Sequence, residues 1–500
     1  MHEADQLSEA LHLVPVPEHG PEYRVRREQA LAGARPMALG QGRTQAAPEG
    51  RRGRPIMRRV LLAAIAAIGL VAVVVGAVVS TTGDGAGTNI APASSHSQVH
   101  HAPRAIVAGA APIQVGDELT GMVRGLDGGL WAWGYRHRQG GPGTPLLERW
   151  DGQSWQDVAM PASSTARADE IAGVAAVSGD DVWVAENTRR GGLLSHWDGA
   201  GWTDFPAFGF AGTSETSDAL LALSTDDVWA VGAAVTPATG AIKRSRRTTL
   251  HWDGTRWTSV PAPSLGRGVG EVRLRLIRGA SPDALWALGD SQRYRRKTVS
   301  GKRLWVVTRS AQFLLFWDGR RWTRQAWPTL QPTNGRKDEI AMDDLAVSGD
   351  GELWCAGRRW FGPDNRGDLF VPVVLRLRAG RWEIMASGST PSLSADWRRF
   401  MPSSIAATSS QDVWVAGGTD AGSSLWHWDG SAWSVVPLPE AQSPMRSSAR
   451  SVLAVAAGDV WVLCQGSTAS DRLEQLEPFF LHFDGTAWQR VPAAPFPGAL

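Results

Sequence analysis

The chain has 500 residues, 43% apolar and 20% charged, with a formal net charge of +2. This suits folded domains rather than disorder, and no global field draws the protein to nucleic acid. Two cysteines exclude a disulfide-built scaffold, and against that economy stand 25 tryptophans whose placement organises most of the chain.

Residues 1–58 mix Arg, Glu, Pro and Gly without periodicity and read as a mostly disordered tail, with a short helical stretch at Glu3–Leu13. Next comes a transmembrane helix at residues 59–80, built on the run Val60–Val79, which has 20 residues and no charge. That run can cross ~30 Å of hydrocarbon. Five arginines precede it in Arg51–Arg59, and none follows in STTGDGAG. The positive-inside rule then predicts a single-pass protein of the cell membrane, with its N-terminus cytoplasmic and the rest outside. A cleaved signal starting at Met57 is the rival reading, but the apolar run exceeds the ~7–15 residues of a usual signal core. Residues 81–111 read as a flexible linker.

From residue 112 to 495 the chain repeats. One motif reads LLERWDGQSWQDV, LLSHWDGAGWTDF, TLHWDGTRWTSV, LLFWDGRRWTRQ, VLRLRAGRWEIM, LWHWDGSAWSVV and FLHFDGTAWQRV. A second alternates with it: GGLWAWG, DDVWVAE, DDVWAVG, DALWALG, GELWCAG, QDVWVAG and GDVWVLC. A short apolar run precedes each of the second set. Val and Trp favour strands, Asp-Gly is a strong hairpin signal, and proline after the last strand cannot extend a ladder. Each repeat is therefore four short strands, and the whole predicts an all-β, seven-bladed β-propeller of four-stranded antiparallel blades. The second-strand tryptophans are Trp131, Trp183, Trp229, Trp286, Trp354, Trp414 and Trp461. The fourth-strand tryptophans are Trp155, Trp202, Trp257, Trp322, Trp382, Trp433 and Trp488. A residue that recurs at one register serves the blade, and truncating one should cost ~3–5 kcal/mol.

The second-strand segments ending at Gly134, Gly232, Gly289, Gly357 and Gly417-Gly418, each followed by a strand, a tight turn and Trp, resemble the kelch-like propellers. These include the central domain of galactose oxidase; here the setting would be membrane-anchored and bacterial. Glu186 and Cys464 depart from the glycine pattern. The Asp-Gly-x-x-Trp turn is also similar to the Asp-box turn of sialidases, with one residue fewer. The resemblance implies the fold; propellers host many unrelated activities.

No cofactor or metal site and no catalytic residue is expected. His196, His251, His427 and His482 sit at one repeat position on different blades, spread around a ring, so they cannot converge on an ion. A galactose-oxidase-like copper site needs two tyrosines, and beyond residue 100 only Tyr135 and Tyr294 remain, both in predicted loops. Cys355 and Cys464 lie in different blades and should be unpaired, buried thiols.

The second-to-third-strand connections carry charge of one sign. They read YRHRQGGPGTP, NTRRGG, KRSRR, RYRRKTVSGKR and RRWFGPDNRG in five successive repeats, while the other turns are short. Arg136, Arg138, Arg189, Arg190, Lys243, Arg244, Arg246, Arg247, Arg293, Arg295, Arg296, Arg358, Arg359 and Trp360 are the ligand-binding candidates. Arg forks suit an anionic partner: an acidic glycan, a phosphate-rich wall polymer or a lipid headgroup. The sequence thus predicts a binding or scaffold module outside the cell, with no nucleic-acid partner and a protein partner as the other option. One alternative is a glycan-active hydrolase or lyase, whose mark would be carboxylates beside a basic or nucleophilic residue near the axis. The other is a sensor signalling through a partner of the tail.

Overall fold

In the computed structural model, residues 113–495 are described, except 138–142, 162–167, 189–190, 208–218, 237–243, 266–268, 300–301, 329–338, 361–369, 388–398, 420–421, 440–445 and 470–472. The tail, the expected span and the linker lie outside the described residues. Among those residues, no helix is long and apolar enough to cross a membrane.

Within 113–495 the apolar runs, the tryptophan segments and the Asp-Gly turns fold as expected, into 28 described strands. They form seven consecutive units of four antiparallel strands, at residues 113–157, 168–207, 220–259, 269–325, 339–386, 401–436 and 446–492. The first strand of each unit touches the first strand of the next, and that of unit 7 touches that of unit 1. Seven buried apolar clusters lie one between each pair of neighbouring units, including units 7 and 1. The architecture is all-β and consistent with a β-propeller.

Both ends of the described chain seal the ring. Residues 113–116 pair in parallel with Leu473–Leu476 in the third strand of unit 7, which merges the two units into one eight-stranded sheet. The Gln465 side chain crosses the same seam, accepting from the Leu119 N–H and donating to the Asp117 carbonyl. At the other terminus, the Ala494 N–H donates to the buried Glu148 carboxyl of unit 1 at 3.2 Å.

All seven second-strand tryptophans are buried, and Trp155, Trp257, Trp322 and Trp433 of the fourth strands are buried with them. The four histidines do structural work. Each lies against the second-strand tryptophan of its own unit, stacked for His196 on Trp183, His427 on Trp414 and His482 on Trp461 and tilted for His251 on Trp229, with centroids 3.9–4.5 Å apart. Each also holds the aspartate two residues before that tryptophan (Asp181, Asp227, Asp412 or Asp459) through Nε2 at 2.8–2.9 Å. A carboxylate only accepts, so Nε2 carries the proton. The other units replace acid and base together. Unit 5 has Glu352 with Arg376, which lies over Trp354. Unit 1 has Gly129 with Arg149 over Trp131, and unit 4 has Ala284 with Phe316 against Trp286.

The Asp-Gly turns share one construction. Asp151, Asp198, Asp253, Asp318, Asp429 and Asp484 each accept two backbone N–H groups, two and three residues on. The following glycine has φ between 81° and 99°. In unit 5 the sequence Arg-Ala-Gly-Arg pairs Arg378 with Arg381 and leaves only Ala379 and Gly380 in the bend. Cys355 and Cys464 are free and buried, as expected. Burial pushes both thiols up, Cys464 to about 12.

Candidate anion-binding face

The basic segments are less loop-like than their composition suggests. The second and third strands of unit 4 continue as Ala284–Val299 and Lys302–Trp317, paired out to Val299 and Lys302. Most of RYRRKTVSGKR is thus a protruding two-stranded arm. Arg244–Arg247 likewise begin the third strand of unit 3, Arg358–Trp360 end the second strand of unit 5, and Tyr135–His137 end that of unit 1. Arginine-rich stretches read as loops by polarity, but backbone pairing carries on through them because their partner strands are just as long.

The candidates divide by where their charge goes. On the unit 4 arm, Arg295, Arg296 and Lys297 are exposed and Arg293 is half-buried. Arg136 instead is buried: its fork grips both oxygens of Asp117 at 3.0 and 2.9 Å and reaches Asp157 at 2.7 Å. Burial works against its charge, but the bonds to Asp117 and Asp157 outweigh that and raise its pKa. Arg358 makes a forked pair with Asp343 at 3.1 and 2.8 Å, and Arg359 is buried. Arg138, Arg189, Arg190 and Lys243 lie outside the described residues. Of Arg244, Arg246, Arg247 and Trp360 only the backbone is described; they pair with Thr236, Ala234, Ala233 and Phe370. The partners of Arg136 were not legible beforehand, because Asp117 and Asp157 belong to the first and fourth strands.

The inner strands carry matched charges. Glu118 meets His137 at 3.2 Å and Arg450 at 3.7 Å, and the His137 bond, working against burial, holds its carboxyl below the usual range. Asp344 ties three units together: it accepts from Arg278 of unit 4 at 2.9 Å, and from the Ser404 hydroxyl and Ile405 N–H of unit 6 at 3.0 Å each. Asp290 pairs with the buried Arg275 at 2.8 Å. The two tyrosines lie in strands rather than loops. Tyr294 donates to Glu271 at 2.8 Å and also contacts Gln292; burial first, then Glu271, push the phenol's pKa up.

The chain matches no family model and no curated protein. Solved structures with a similar course include the polysaccharide lyase Uly1, at 10% identity and TM-score 0.42, covering 74% of this chain and 90% of that one. The WD40 repeats of RRP9 match at 10% identity and TM-score 0.39, covering 71% and 90%. A hypothetical selenium-binding protein from Sulfolobus tokodaii matches at 10% identity and TM-score 0.34, covering 76% and 97%. None of these likenesses assigns an activity or a ligand to this chain.

Proposed function

We propose that the chain is a seven-bladed, kelch-like propeller held outside the cell by the Val60–Val79 span. It works as a binding or scaffold module for an anionic envelope ligand, through the face where second and third strands join. The observation that carries this reading is the unit 4 arm, which projects Arg295, Arg296 and Lys297 into solvent. The opposite side carries the Asp-Gly turns, whose six carboxylates are taken up by their own backbone. One side thus offers cations and the other offers none of its acids as an open site. The test is binding of the full-length chain, in detergent, to a sulfated glycan and to polyphosphate at low and high salt. Binding that fades with salt, and that weakens when Arg295 and Arg296 become Ser, is the expected result. Binding indifferent to both would sink the reading.

A glycan-active enzyme is the second reading, and Tyr294 on Glu271 favours it, because a carboxylate can draw a phenol's proton and make it a nucleophile. The raised phenol pKa opposes it, since the group stays neutral. Hydrolysis of chromogenic glycosides by the wild-type chain, lost in Tyr294→Phe, would establish this second reading.

A further inference from the structure

A pocket of about 100 Å³ opens on one face of the unit 4 sheet, lined by Ser291, Arg293, Arg309, Ala311, Phe313, Arg324 and, from the connection with unit 3, Leu265. The ladder explains the convergence. Arg293 lies opposite Arg309, Ser291 opposite Ala311, and Arg324 opposite Leu315. Side chains alternate along strands, so positions 291 and 293, positions 309, 311 and 313, and position 324 all face the same way. Arginines from three adjacent strands thus line it, and no carboxylate is among its described lining residues. Arg309 and Arg324 place like charge on one face of adjacent strands, and an anion between them relieves their mutual repulsion. Two further features leave space there. Ala311 is the small residue of the third-strand row, and a β-bulge falls between Arg293 and Tyr294, the kind of irregularity that re-aims side chains. Leu265 and Phe313 supply an apolar wall that strengthens any charge-assisted bond beside it.

We propose that this pocket binds a tetrahedral oxyanion, the phosphate or sulfate group of an anionic ligand. The proposal rests on the anion-binding reading of this face and narrows it to one site. Arg309 and Arg324 are its defining members. Tyr294 and Gln292 share the opposite face of the strand, so the pocket is separate from the Tyr294–Glu271 pair.

The test titrates inorganic phosphate and inorganic sulfate into the full-length chain in detergent, at constant ionic strength with chloride as reference. Polyphosphate and a sulfated glycan follow as polymer probes. Arg309→Ser and Arg324→Ser should each weaken the small anions about ten- to hundredfold, the loss of one charge-assisted contact. Ala311→Met should exclude them with every arginine in place, and Arg320→Ser, on the Asp-Gly turn of the same unit, should leave their affinity unchanged. Small-anion binding that survives Ala311→Met or Arg309→Ser overturns the pocket. Polymer binding that is lost in R295S/R296S but untouched by the pocket variants overturns the pocket and leaves the wider face standing. No binding of any probe overturns both.

Discussion

Units 6 and 1 each hold a carboxylate in a strand, half-buried in one and fully buried in the other, and the two fare oppositely. Asp412 in unit 6 is surrounded by donors: the Trp414 indole at 2.8 Å, His427 Nε2 at 2.8 Å and the Thr408 hydroxyl. Burial works to raise its pKa, but His427, Thr408 and Trp414 together hold it below the usual range. Glu148 in unit 1 is fully buried and has the Ala494 N–H on one oxygen, while the other meets no partner among the described residues. Burial therefore dominates and pushes its carboxyl up to about 8. The deeper carboxylate is also the one with fewer donors, and both differences push toward the neutral form.

Glu148→Gln breaks the comparison most strongly. In the folded state Glu148 keeps its proton up to about 8, while the unfolded chain loses it near 4.5. Stability therefore falls as pH rises between those values, by on the order of 4 kcal/mol. Glutamine keeps an acceptor for Ala494 and never ionises. The variant should match wild type at pH 4, exceed it by that order at pH 8.5, and flatten the slope between; denaturant unfolding across the range reads this. An unchanged slope would place the pH dependence elsewhere.

Asp412→Ala tests the other half of the comparison. It strands the indole, the imidazole and the hydroxyl at once and should cost ~2–4 kcal/mol. Unit 4 shows the alternative, with Ala284 and Phe316 in the equivalent places. The double variant Asp412→Ala/His427→Phe should therefore cost less than the single Asp412→Ala, a coupling that a double-mutant cycle measures directly. Additive costs would mean that acid and base are independent.

That exchange was present in the sequence, as Asp with His four times, Glu with Arg once, and neither acid nor histidine in units 1 and 4. Reading it needs the register that places the second and third strands opposite each other. The strands, their order and the turns were legible because period-two apolar runs and Asp-Gly signals act locally. The candidate face was legible in its charge and misread in its form. Polarity suggested loops, whereas the arm of unit 4 is paired out to Val299 and Lys302. Arg309 and Arg324 escaped notice because they lie in strands rather than in the basic connections, and only the alternation of three paired strands brings them to Arg293.

The turns offer a smaller contrast. Gly254 has φ +87°, and an added Cβ would stand 2.7 Å from the Asp226 Cβ in the turn between the first two strands of its unit. Gly152 has φ +99° with open space around it. Gly254→Ala therefore carries a clash and backbone strain, about 2–3 kcal/mol, whereas Gly152→Ala carries strain alone, about 1 kcal/mol. Equal losses in thermal unfolding would show that the packing between turns contributes nothing.

Unit 5 gives the smallest effect, a gain in stability. Its bend holds Ala379 at φ +48° and Gly380 at φ +74°, which is a two-residue turn with both central residues left-handed. Alanine is the sole non-glycine with positive φ among the described residues, and its Cβ makes that conformation unfavourable by about 1 kcal/mol. Asparagine tolerates it, and Asn-Gly is the preferred pair for this turn. Ala379→Asn should raise stability by about 0.5–1 kcal/mol. The same residue at Thr255 should not, because there the bend is closed by Asp253, which accepts the N–H groups of Thr255 and Arg256 and the Thr255 hydroxyl. A gain at position 379 with a loss at 255 separates two turns that have equal length in sequence. A gain at both would mean that the aspartate-closed bend is no better satisfied than the one without it.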